Sequence, residues 1–481
     1  MAEVILLMPQ TGLWERFRPG LFPPLGLIYA SSFVTKEFET VLIDMRLKRN
    51  WKEALLKEID SSTICVASPL WTGPMIKSVL EAFSIVKRET SIKTVVGGPH
   101  ASLIPDETVS HPLVDFLIQG EGEIAFLELC RALKNGGDYK KIEGLWWKEE
   151  DGSVRGNPQK RFLDLSTLPE PPYHLIDVKK YTIYMGGKKS FPLEASRGCP
   201  FSCRFCYQKN YSRSRWRPYP VDLVFNRAKK LVEKYGVEDI YFIDDEFFVM
   251  KERALNLARA LKTLNITWQV QGASISTLKN MSLRELEELR NCGCRRITIG
   301  LESGSERILR VLGKKYTPDE AYECIKKITE AGIAVYISLM GGVPGEEKED
   351  LYKTIDFVIK TLDTTRGVYF SPIYLYTPFP GTELYEEIRK KISFPEGLDG
   401  WGEYSWEGNP YIKINNSSHR LLKKLYFLTL LCDEKMDFYS DSFLIKALSR
   451  IYRPISIFRL RQKFFSFMIE YQLWNWLTLR R

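Results

Sequence analysis

Strand-like and helix-like hydrophobic patterns alternate through the first 141 residues of the chain. Short apolar runs, typical of buried strands, are separated by stretches in which apolar residues recur every three or four positions, as in an amphipathic helix. The strands are predicted at VILLMP, TVLIDM, STICVAS, KTVVGG and VDFLIQG, and the helices at LGLIYASSFVTK, 51–59, 75–87 and 123–133. This order predicts an α/β domain over residues 1–141, built on a doubly wound parallel sheet.

A second alternation of strands and helices runs over residues 193–394. Its strands are predicted at PLEAS, DIYFIDD, TWQVQGAS, RRITIGLES, AVYISLMGG and GVYFSPIYLY. Six strands with intervening helices predict a partial (β/α)6 barrel, whose site lies at the carboxyl ends of the strands. Residues 142–192 contain the polar DGSVRGNPQK and the proline-rich LPEPPYHLI, which predict a linker. Residues 395–481 are rich in aromatic residues and arginine, and predict a helical C-terminal region.

Length, charge and cysteine content limit the classes of protein to which the chain can belong. A chain of 481 residues exceeds what one hydrophobic core usually organises, so two or three domains are expected. The formal charge of +9 is modest, and basic and acidic residues are interspersed, which argues against a dedicated nucleic-acid binder. Nine cysteines without disulfide spacing, after an acidic, strand-like start, predict a cytoplasmic protein. No uncharged apolar run approaches the roughly 20 residues that span a bilayer, so a soluble or peripheral protein is expected.

Glycine-rich loops follow three of the predicted strands of the first domain. They read PLWTGP after Ser68, GGPHAS from Gly97 to Ser102, and QGEGE from Gln119 to Glu123. In a parallel sheet the loops at the carboxyl ends of the strands collect at one edge, where ligands bind. Glycines there let the backbone approach a bulky ligand closely. Ordinary tight turns are the alternative interpretation of each loop taken singly.

The segment SRGCPFSCRFCYQ, directly after the strand PLEAS, contains three cysteines at CxxxCxxC spacing, which are Cys199, Cys203 and Cys206. Three thiolates on one loop can bind three irons of a [4Fe-4S] cluster and leave the fourth iron open. S-adenosylmethionine can bind that iron through its amino and carboxylate groups, and one electron then cleaves it to a 5′-deoxyadenosyl radical. A zinc site is the alternative, but it needs a fourth nearby ligand. His174 and the Cys292/Cys294 pair lie far away in the sequence.

This loop and the segments after it resemble the radical S-adenosylmethionine superfamily, in which an aromatic residue precedes the last cysteine. FIDDEF, GCRRITIGLESGSERIL, LMGGVPGE and YTPFPGTELYEE follow in the family's order. The resemblance implies S-adenosylmethionine contacts by Phe205 and Tyr207 near the adenine, by Asp244, Asp245 and Glu246 toward the amino group, by Glu302 on the ribose, and by the backbone of Gly341 and Gly342 at the adenine. Many relatives carry an arginine and, two residues later, an aspartate where this chain has Ser274 and Ser276. Ser274 is a candidate cofactor contact there, without a cation for the cofactor's carboxylate.

The first domain resembles the branch of this superfamily whose N-terminal domain binds cobalamin. The resemblance rests on PPLGLIYAS, VLIDM, GGPHAS and QGEGE, and covers the chain to about Glu387. It implies cobalamin contacts by the loop residues Ser68, Leu70, Trp71, Thr72, Gly97, Gly98, Pro99, His100, Gly120, Glu121 and Gly122. The histidine of the DxHxxG motif, which binds cobalt in methionine-synthase-type domains, is missing, because its place is taken by Asp44, Met45, Arg46 and Leu47. Since many members of the branch lack it, we expect cobalt without a lower histidine ligand, and His100 as a capping or tail-contacting residue; a domain without cobalamin is the alternative.

The branch includes methyltransferases, ring-forming cyclases and enzymes acting on lipids, so the resemblance implies an enzyme. Methyl transfer to an unactivated carbon of a small-molecule or lipid substrate is the first hypothesis. An anaerobic cyclase or carbon–carbon bond-forming enzyme is the second, and a redox sensor or scaffold with an inert cluster is the third. An electron donor such as ferredoxin or flavodoxin is the expected partner. The substrate and the catalytic residues stay open, because residues at a barrel mouth follow no transferable code.

The C-terminal stretch RIYRPISIFRLRQKFFSFMIEYQLWNWLTLRR combines arginines with aromatic residues at helical spacing, namely Phe464, Phe465, Phe467, Tyr471, Trp474 and Trp476. Such a stretch can lie at a membrane interface, with its cations near anionic lipids. Alternatively, it packs over the barrel mouth as a helix and buries those aromatic residues. The first interpretation predicts peripheral contact with the inner membrane face and a lipid or isoprenoid substrate.

Overall fold

The computed structural model describes residues 2–11, 21–405, 410–411, 416–436 and 443–472 of the chain. The chain divides into two compact units. The first consists of Met1–Tyr181, Cys206–Ser214 and Phe379–Pro410, and the second of Thr182–Phe205, Arg215–Pro378 and Tyr411–Arg481. Each unit is built around its own seven-stranded sheet.

The sheet of the first unit has the strand order β2-β1-β3-β4-β5-β6-β7, in which β1 to β5 are parallel. These five strands are β1 (Val4–Met8), β2 (Thr40–Asp44), β3 (Cys65–Pro69), β4 (Lys93–Gly97) and β5 (Phe116–Ile118). Because β1 pairs with β2 on one side and with β3 on the other, the winding of the chain reverses at β1. The predicted doubly wound parallel sheet is confirmed.

The longer helices of the first unit pack on its sheet through apolar residues at helical spacing. The helices of this unit are α1 (Leu25–Ala30), α2 (Trp51–Glu58), α3 (Met75–Glu89), α4 (Pro99–Leu103), α5 (Pro105–Ser110), α6 (Glu123–Asn135), α7 (Gln208–Tyr211), α15 (Glu383–Ile388) and α16 (Gly397–Gly402). In α3, for example, Ile76, Val79, Leu80 and Phe83 recur every three or four residues and are buried. Tyr385 of α15 and the α16 residues join the same core, so sequence-distant segments complete it.

The stretch 142–192, for which the sequence predicts a linker, also contributes two strands to the first sheet. These are β6 (Leu145–Lys148) and β7 (Val154–Gly156), which pair antiparallel to each other and extend the sheet beyond β5. Leu145 and Trp147 are buried while Trp146 and Lys148 are partly exposed, the alternation of a half-buried strand. Because this strand is only four residues long, its hydrophobic alternation is too short to predict a separate strand.

The sheet of the second unit has six parallel strands in the order β16-β15-β14-β13-β12-β9, with an antiparallel β8 at its edge. The strands are β8 (Ile183–Met185), β9 (Lys188–Leu193), β12 (Asp239–Phe242), β13 (Thr267–Ala273), β14 (Cys294–Glu302), β15 (Ala334–Gly341) and β16 (Val368–Leu375), and a separate ribbon joins β10 (Ser196–Arg197) to β11 (Arg217–Pro218). The helices are α8 (Val221–Tyr235), α9 (Lys251–Lys262), α10 (Ile275–Leu278), α11 (Leu283–Asn291), α12 (Glu306–Val311), α13 (Pro318–Glu330) and α14 (Lys348–Thr364). The predicted partial barrel of six parallel strands is confirmed.

The C-terminal region is helical, as predicted, with helices Asn416–Leu430 and Phe443–Arg461. The first of them and the turn after it cover the free edge of β16. Thr429 Oγ1 accepts the Ile373 N–H at 2.9 Å, and Asp433 Oδ2 accepts the Phe370 N–H at 2.7 Å. These side chains satisfy backbone donors that an edge strand would otherwise leave unpaired. In the part of the chain that the structure describes, no helix has the length and apolar character needed to cross a membrane.

Candidate functional site

The loop with the CxxxCxxC motif follows β10 and is held by the turn after α12. Arg204 donates its backbone N–H to the Leu312 carbonyl at 3.0 Å and a guanidinium N–H to the Val311 carbonyl at 3.1 Å. Gly313 has a φ of +78°, and a Cβ at this position would lie 3.2 Å from the Ser202 carbonyl oxygen. The close approach of the two backbones therefore depends on glycine.

The three motif cysteines are partly exposed, and none of them forms a disulfide, whereas the other six cysteines are buried. Among the described residues, no three or more His, Cys, Asp or Glu side chains converge on a single ion position. Cubane ligands each bind a different iron and do not have to converge on one point. Three accessible thiols on one fixed loop therefore fit the predicted [4Fe-4S] cluster.

The acidic segment after β12 has three neighbouring carboxyl groups in different environments. Asp244 is buried and accepts the Ala195 N–H at 3.1 Å, and burial raises its pKa to about 7. Asp245 is exposed, and its Oδ2 accepts the Gly198 N–H of the cluster loop at 3.1 Å. Glu246 is buried as well, and burial raises its pKa to about 8. Asp245 is thus the member of this group with an exposed carboxylate beside the cluster loop.

Ser274 begins the short helix α10, and its hydroxyl is used as a helix cap. Ser274 Oγ accepts the Ser276 N–H at 3.1 Å, the usual role of serine at this position. One turn later, the Thr277 hydroxyl donates to Glu246 Oε1 at 3.0 Å. The helix cap alone is a sufficient reason for a serine at position 274. The contact of Ser274 with the cofactor stays a prediction.

Glu302 lies at the end of β14 in a strained backbone conformation. Its φ is +72°, which a non-glycine residue adopts at an energetic cost and which is often found at functional sites. The buried Lys314 Nζ lies 3.3 Å from Glu302 Oε1 and donates to the Gly300 carbonyl at 2.9 Å. The carboxylate predicted to contact the ribose is therefore paired with a buried ammonium group.

Lys314 also approaches the cluster loop, which sequence reasoning missed. Its Nζ lies 5.5 Å from the centre of the Phe205 ring. Burial alone lowers the pKa of Lys314, but its electrostatic interactions with Tyr316, Glu302 and Cys203 outweigh burial and raise that pKa, so the ammonium stays charged. The only sequence signal is the first lysine of LGKKYT, which is Lys314 and lies 12 residues after Glu302. This spacing does not predict a contact, because the two residues meet only when the turn after α12 packs against β14.

Gly341 and Gly342 at the end of β15 face the C-terminal helix Asn416–Leu430. A Cβ at Gly341 would lie 2.5 Å from Leu422 Cδ2, and Gly342 has a φ of +77°. The Gly342 N–H is accepted by the buried carboxylate of Glu346, and burial raises the pKa of Glu346 to about 8. Packing alone thus requires glycine here, and backbone contact with adenine stays a prediction.

In the first unit, the loops after β3 and β4 are brought together by backbone contacts. Ser68 and Leu70 are buried, so they support the loop from below, whereas Trp71 is 48% exposed. Gly98 has a φ of +91°, and a Cβ there would lie 3.1 Å from the Leu70 carbonyl oxygen. Pro99 follows as the first residue of α4. The exposed part of this surface therefore consists of Trp71 and of partly exposed backbone at Gly97, Gly98 and Pro99.

His100 lies under these loops rather than on their surface. It is 1% exposed, its Nδ1 lies 2.9 Å from Thr72 Oγ1, and its ring packs edge-on against Trp401 at 5.9 Å. Burial lowers the pKa of His100 to about 3, so the ring stays neutral near pH 7. Its Nε2 is buried without a hydrogen-bond partner among the described residues. This geometry supports a capping role, in which His100 orients the Thr72 hydroxyl.

The loop QGEGE after β5 is held in place by Gln159. The Glu121 N–H donates to Gln159 Oε1 at 3.1 Å, and Gly120 has a φ of +78°. Gly122 caps α6. Next to this loop, a cavity of about 380 Å³ is lined by residues that include Ser102, Gln119, Gly120, Gln159 and Tyr211. Glycine backbone and amide side chains there offer hydrogen bonds to part of a larger polar ligand, and contact of this loop with cobalamin stays a prediction.

The position that would carry the DxHxxG histidine is occupied by an internal ion pair. The carboxylate of Asp44 accepts from the Arg46 guanidinium at 2.9 and 2.6 Å and from the Tyr181 hydroxyl at 2.8 Å. Both members of the pair are nearly buried. Arg46 thus supports this loop structurally, and the loop offers no imidazole.

Comparison with known proteins agrees with both halves of this architecture. Residues 193–358 match the model of the radical SAM superfamily, and residues 18–130 match the B12 binding domain. A fold with a doubly wound sheet, a six-stranded partial barrel and a three-cysteine loop defines the class of radical S-adenosylmethionine enzymes with a cobalamin-binding domain.

Two curated relatives and one solved structure place the chain within that class. An uncharacterized methyltransferase from Pyrococcus horikoshii is 30% identical over 80% of this chain and 82% of its own length. The anaerobic magnesium-protoporphyrin IX monomethyl ester cyclase of Rubrivivax gelatinosus is 22% identical over 78% of this chain and 67% of its own length. The cobalamin-dependent S-adenosylmethionine radical enzyme OxsB, solved with aqua-cobalamin and S-adenosylmethionine bound, shares the fold with a TM-score of 0.74 and 18% identity over 100% of this chain and 75% of that chain.

The chain belongs to the cobalamin-dependent radical S-adenosylmethionine enzymes, a family that includes methyltransferases. It is an enzyme, and its cofactors are a [4Fe-4S] cluster, S-adenosylmethionine and cobalamin, as the sequence predicted.

Proposed function

We propose that the enzyme methylates an unactivated carbon of its substrate. The observation that carries the proposal is the presence, in one chain, of a B12 binding domain and a radical SAM barrel, together with 30% identity to a methyltransferase. When bound, the cluster and one S-adenosylmethionine would supply a 5′-deoxyadenosyl radical, and cobalamin would supply a methyl group taken from a second S-adenosylmethionine. An electron donor such as ferredoxin or flavodoxin reduces the cluster.

In this proposal the second unit positions S-adenosylmethionine beside the cluster. Cys199, Cys203 and Cys206 hold the irons, and the exposed carboxylate of Asp245 binds the cofactor's amino group. Glu302 orients the ribose, with its carboxylate fixed by Lys314 at 3.3 Å. Since Ser274 provides no cation, the buried ammonium of Lys314 is the group that balances the cofactor's carboxylate.

The first unit holds cobalamin at the carboxyl ends of β3, β4 and β5. Trp71 is the exposed side chain of the β3 loop, and the hydroxyl of the partly exposed Thr72 is held from below by His100. The backbone at Gly98 and Gly120 provides close approach, because a side chain at either position would strain the turn. Neutral His100 is enclosed beneath Thr72, so it would orient that hydroxyl rather than bind the metal of the cofactor.

Isotope labelling tests the proposed reaction. A metabolite comparison between a deletion strain and its parent identifies the substrate, which is then incubated with the reconstituted enzyme, a reductant and S-adenosylmethionine carrying a deuterated methyl group. We expect a product that contains the intact deuterated methyl group, together with 5′-deoxyadenosine. A product without deuterium contradicts methyl transfer, and the absence of 5′-deoxyadenosine contradicts radical chemistry altogether.

Ring formation or another carbon–carbon bond-forming reaction is the second candidate. The similarity to the anaerobic cyclase of Rubrivivax gelatinosus, over 78% of this chain, favours it. In the same incubation, this candidate predicts a product that has lost hydrogen and gained a ring, but no deuterium.

We also propose that the C-terminal region contacts a membrane surface. Leu448, Ile451, Ile455 and Phe458 recur every three or four residues on one side of helix Phe443–Arg461 and are 57%, 71%, 44% and 59% exposed. Its opposite side is buried at Ser449, Ser456 and Leu460. Of the aromatic residues that the sequence singled out, Phe464 and Phe467 are exposed, which supports contact with a surface. Phe465 and Tyr471 are partly buried against Tyr352 and Phe427, as the packing alternative predicts, and Trp474 and Trp476 lie outside the described residues.

The charge around this apolar face suits anionic lipid. Residues 443–472 contain six basic residues and one acidic residue, Glu470. Four of the basic side chains form ion pairs, which join Arg453 to Glu434, Arg459 to Glu470, Arg461 to Asp363 and Lys463 to Asp356. Arg450, Arg453 and Arg461 line a groove beside Phe458, next to the apolar face. An exposed apolar face flanked by cations is typical of a helix that lies in the interface of an anionic bilayer. A lipid or isoprenoid substrate would then be reached from the bilayer.

Vesicle flotation tests this contact. The wild-type chain should float with vesicles that contain phosphatidylglycerol and much less with pure phosphatidylcholine vesicles. The double variant Ile451→Glu/Phe458→Glu should lose binding, because it places two charges on the apolar face. A matched double variant of exposed apolar residues elsewhere, Leu56→Glu/Leu283→Glu, should bind normally. Equal, negligible flotation of all three proteins would contradict the contact and remove the reason for a lipid substrate.

A further inference from the structure

The segment Cys206–Ser214 begins at the third motif cysteine and belongs to the first compact unit, which also contains the predicted cobalamin loops. Its helix α7 spans only Gln208–Tyr211. A helix of one turn is not stable by itself, because nucleation costs more than one turn of hydrogen bonds returns. The conformation of this segment is therefore imposed by its contacts with the rest of the unit.

Two of those contacts reach two different cobalamin loops. The Tyr207 ring packs edge-on against Trp71 of the β3 loop, with ring centres 6.0 Å apart at an interplanar angle of 89°. The Tyr211 hydroxyl donates to the Gly120 carbonyl of the β5 loop at 3.1 Å. Tyr207 and Tyr211 also pack edge-on against each other, with ring centres 6.1 Å apart. One short aromatic cluster thus joins the residue next to Cys206 to both loops.

The segment is fixed on its other sides as well. Lys209 forms an ion pair with Glu383 at 2.8 Å, and the Asn210 amide donates to the Gly381 carbonyl. The Arg213 guanidinium lies 4.9 Å from the Phe162 ring centre and donates to backbone carbonyls of the stretch that follows β7. Because these anchors hold its remaining sides, the segment cannot relax independently when Trp71 or Gly120 moves.

We infer that Tyr207 and Tyr211 are positioning residues that couple cobalamin binding to the conformation of the cluster loop at Cys206. The inference rests on the proposed roles of Cys206 and of the β3 and β5 loops. A ligand that fixes Trp71 and the Gly120 backbone also fixes Tyr207 and Tyr211. Because Cys206 is the residue directly before Tyr207, it is fixed as well. Coupling free energies are reciprocal, so an assembled cluster must strengthen cobalamin binding by the same factor by which cobalamin stabilises the cluster loop.

The coupling is measured with the full chain and hydroxocobalamin as the probe. Its dissociation constant is determined from visible absorbance before and after anaerobic iron–sulfur reconstitution. In the wild-type protein we expect reconstitution to tighten binding by a factor within the usual range of about 5 to 150. Tyr211→Phe keeps the ring but loses the hydrogen bond, so it should reduce this factor by about fivefold. Tyr207→Leu, which removes both ring contacts, should reduce it further.

The control is Tyr184→Phe, which removes the hydroxyl of a tyrosine that is 47% exposed on β8 of the second unit, and it should leave the factor unchanged. Thermal unfolding of each variant, measured without cofactors, separates coupling from loss of fold, since Tyr211→Phe should unfold at nearly the wild-type temperature. Equal affinity for hydroxocobalamin before and after reconstitution of the wild-type protein would overturn this inference but not the proposed cobalamin site. Failure to bind hydroxocobalamin in both states would overturn the proposed cobalamin site, and the inference with it.

Discussion

At the scale of single residues, exposure separates the cysteines into two groups. Cys199, Cys203 and Cys206 are partly exposed, whereas Cys292 is buried, and burial raises its pKa. Alanine at any of the three motif positions should abolish both the absorbance of the reconstituted cluster and 5′-deoxyadenosine formation, because the open-iron geometry needs all three thiolates. Cys292→Ala should retain both. Cleavage of S-adenosylmethionine by any of the three motif variants would refute the assignment.

Glu346 gives a residue-scale prediction about pH. Burial raises its pKa to about 8 in the folded chain, from an ordinary value of 4.5, against the opposing effect of the N–H groups of Gly342 and Val343. Between these two values the folded chain keeps a proton that the unfolded chain releases, so stability from this group is complete below pH 4.5 and is lost as pH rises toward 8.

Glu346→Gln should therefore flatten the fall of the unfolding temperature between pH 5 and pH 8. Part of the slope should remain, because burial also raises the pKa of Asp244 and of Glu246. Thermal unfolding monitored by circular dichroism at pH values across this range measures the effect. An unchanged slope in the variant would show that Glu346 is ionised in the folded protein.

At the scale of elements, the end of β15 and the helix Asn416–Leu430 fit together only because Gly341 has no side chain. A Cβ there would lie 2.5 Å from Leu422 Cδ2 and 3.0 Å from Ile373 Cγ2. Gly341→Ala should destabilise the protein by about 1–3 kcal/mol through overpacking. Adding Leu422→Ala should recover part of this loss, because the two substitutions share one contact.

Gly26→Ala is the matched control for that cycle. Gly26 lies in α1, has no atom within 4 Å of a Cβ built on it, and should be neutral or slightly stabilising as alanine. Denaturant unfolding is measured for the wild type, Gly341→Ala, Leu422→Ala, the double variant and Gly26→Ala. Strict additivity of Gly341→Ala and Leu422→Ala would contradict the packing of the helix on the β15 turn.

At the scale of the whole molecule, the presence of both cofactor-binding folds in one chain leads to a prediction about cobalamin. Protein reconstituted with hydroxocobalamin should retain an equimolar amount after desalting, and its spectrum should lack the signature of histidine nitrogen on cobalt. Enclosed His100, whose pKa burial lowers to about 3, is bonded to Thr72 instead. His100→Ala should therefore still bind cobalamin, with lower affinity because Thr72 is no longer oriented. A histidine-ligated spectrum that disappears in this variant would contradict the prediction.

The sequence by itself determined the features that depend on short stretches of chain. Alternating hydrophobic patterns predicted the doubly wound sheet and the partial barrel, because the spacing of apolar residues within an element shows which of its faces are buried. The CxxxCxxC spacing predicted the cluster ligands, since three thiolates on one loop need no distant partner. The glycine-rich ends of β4, β5 and β15 were recognisable for the same reason.

Tertiary structure alone decided the contacts between residues that are far apart in sequence. Nothing in LGKKYT shows that Lys314 reaches Glu302, and nothing near Thr72 shows that His100 lies beneath it at 2.9 Å. Packing also gave Ser274 a capping role and filled the space beside Gly341 with Leu422. Such pairings depend on how whole elements pack, and each side chain alone is compatible with many partners. A hydrophobic period specifies which face of an element is buried, but not which residue of another element meets it.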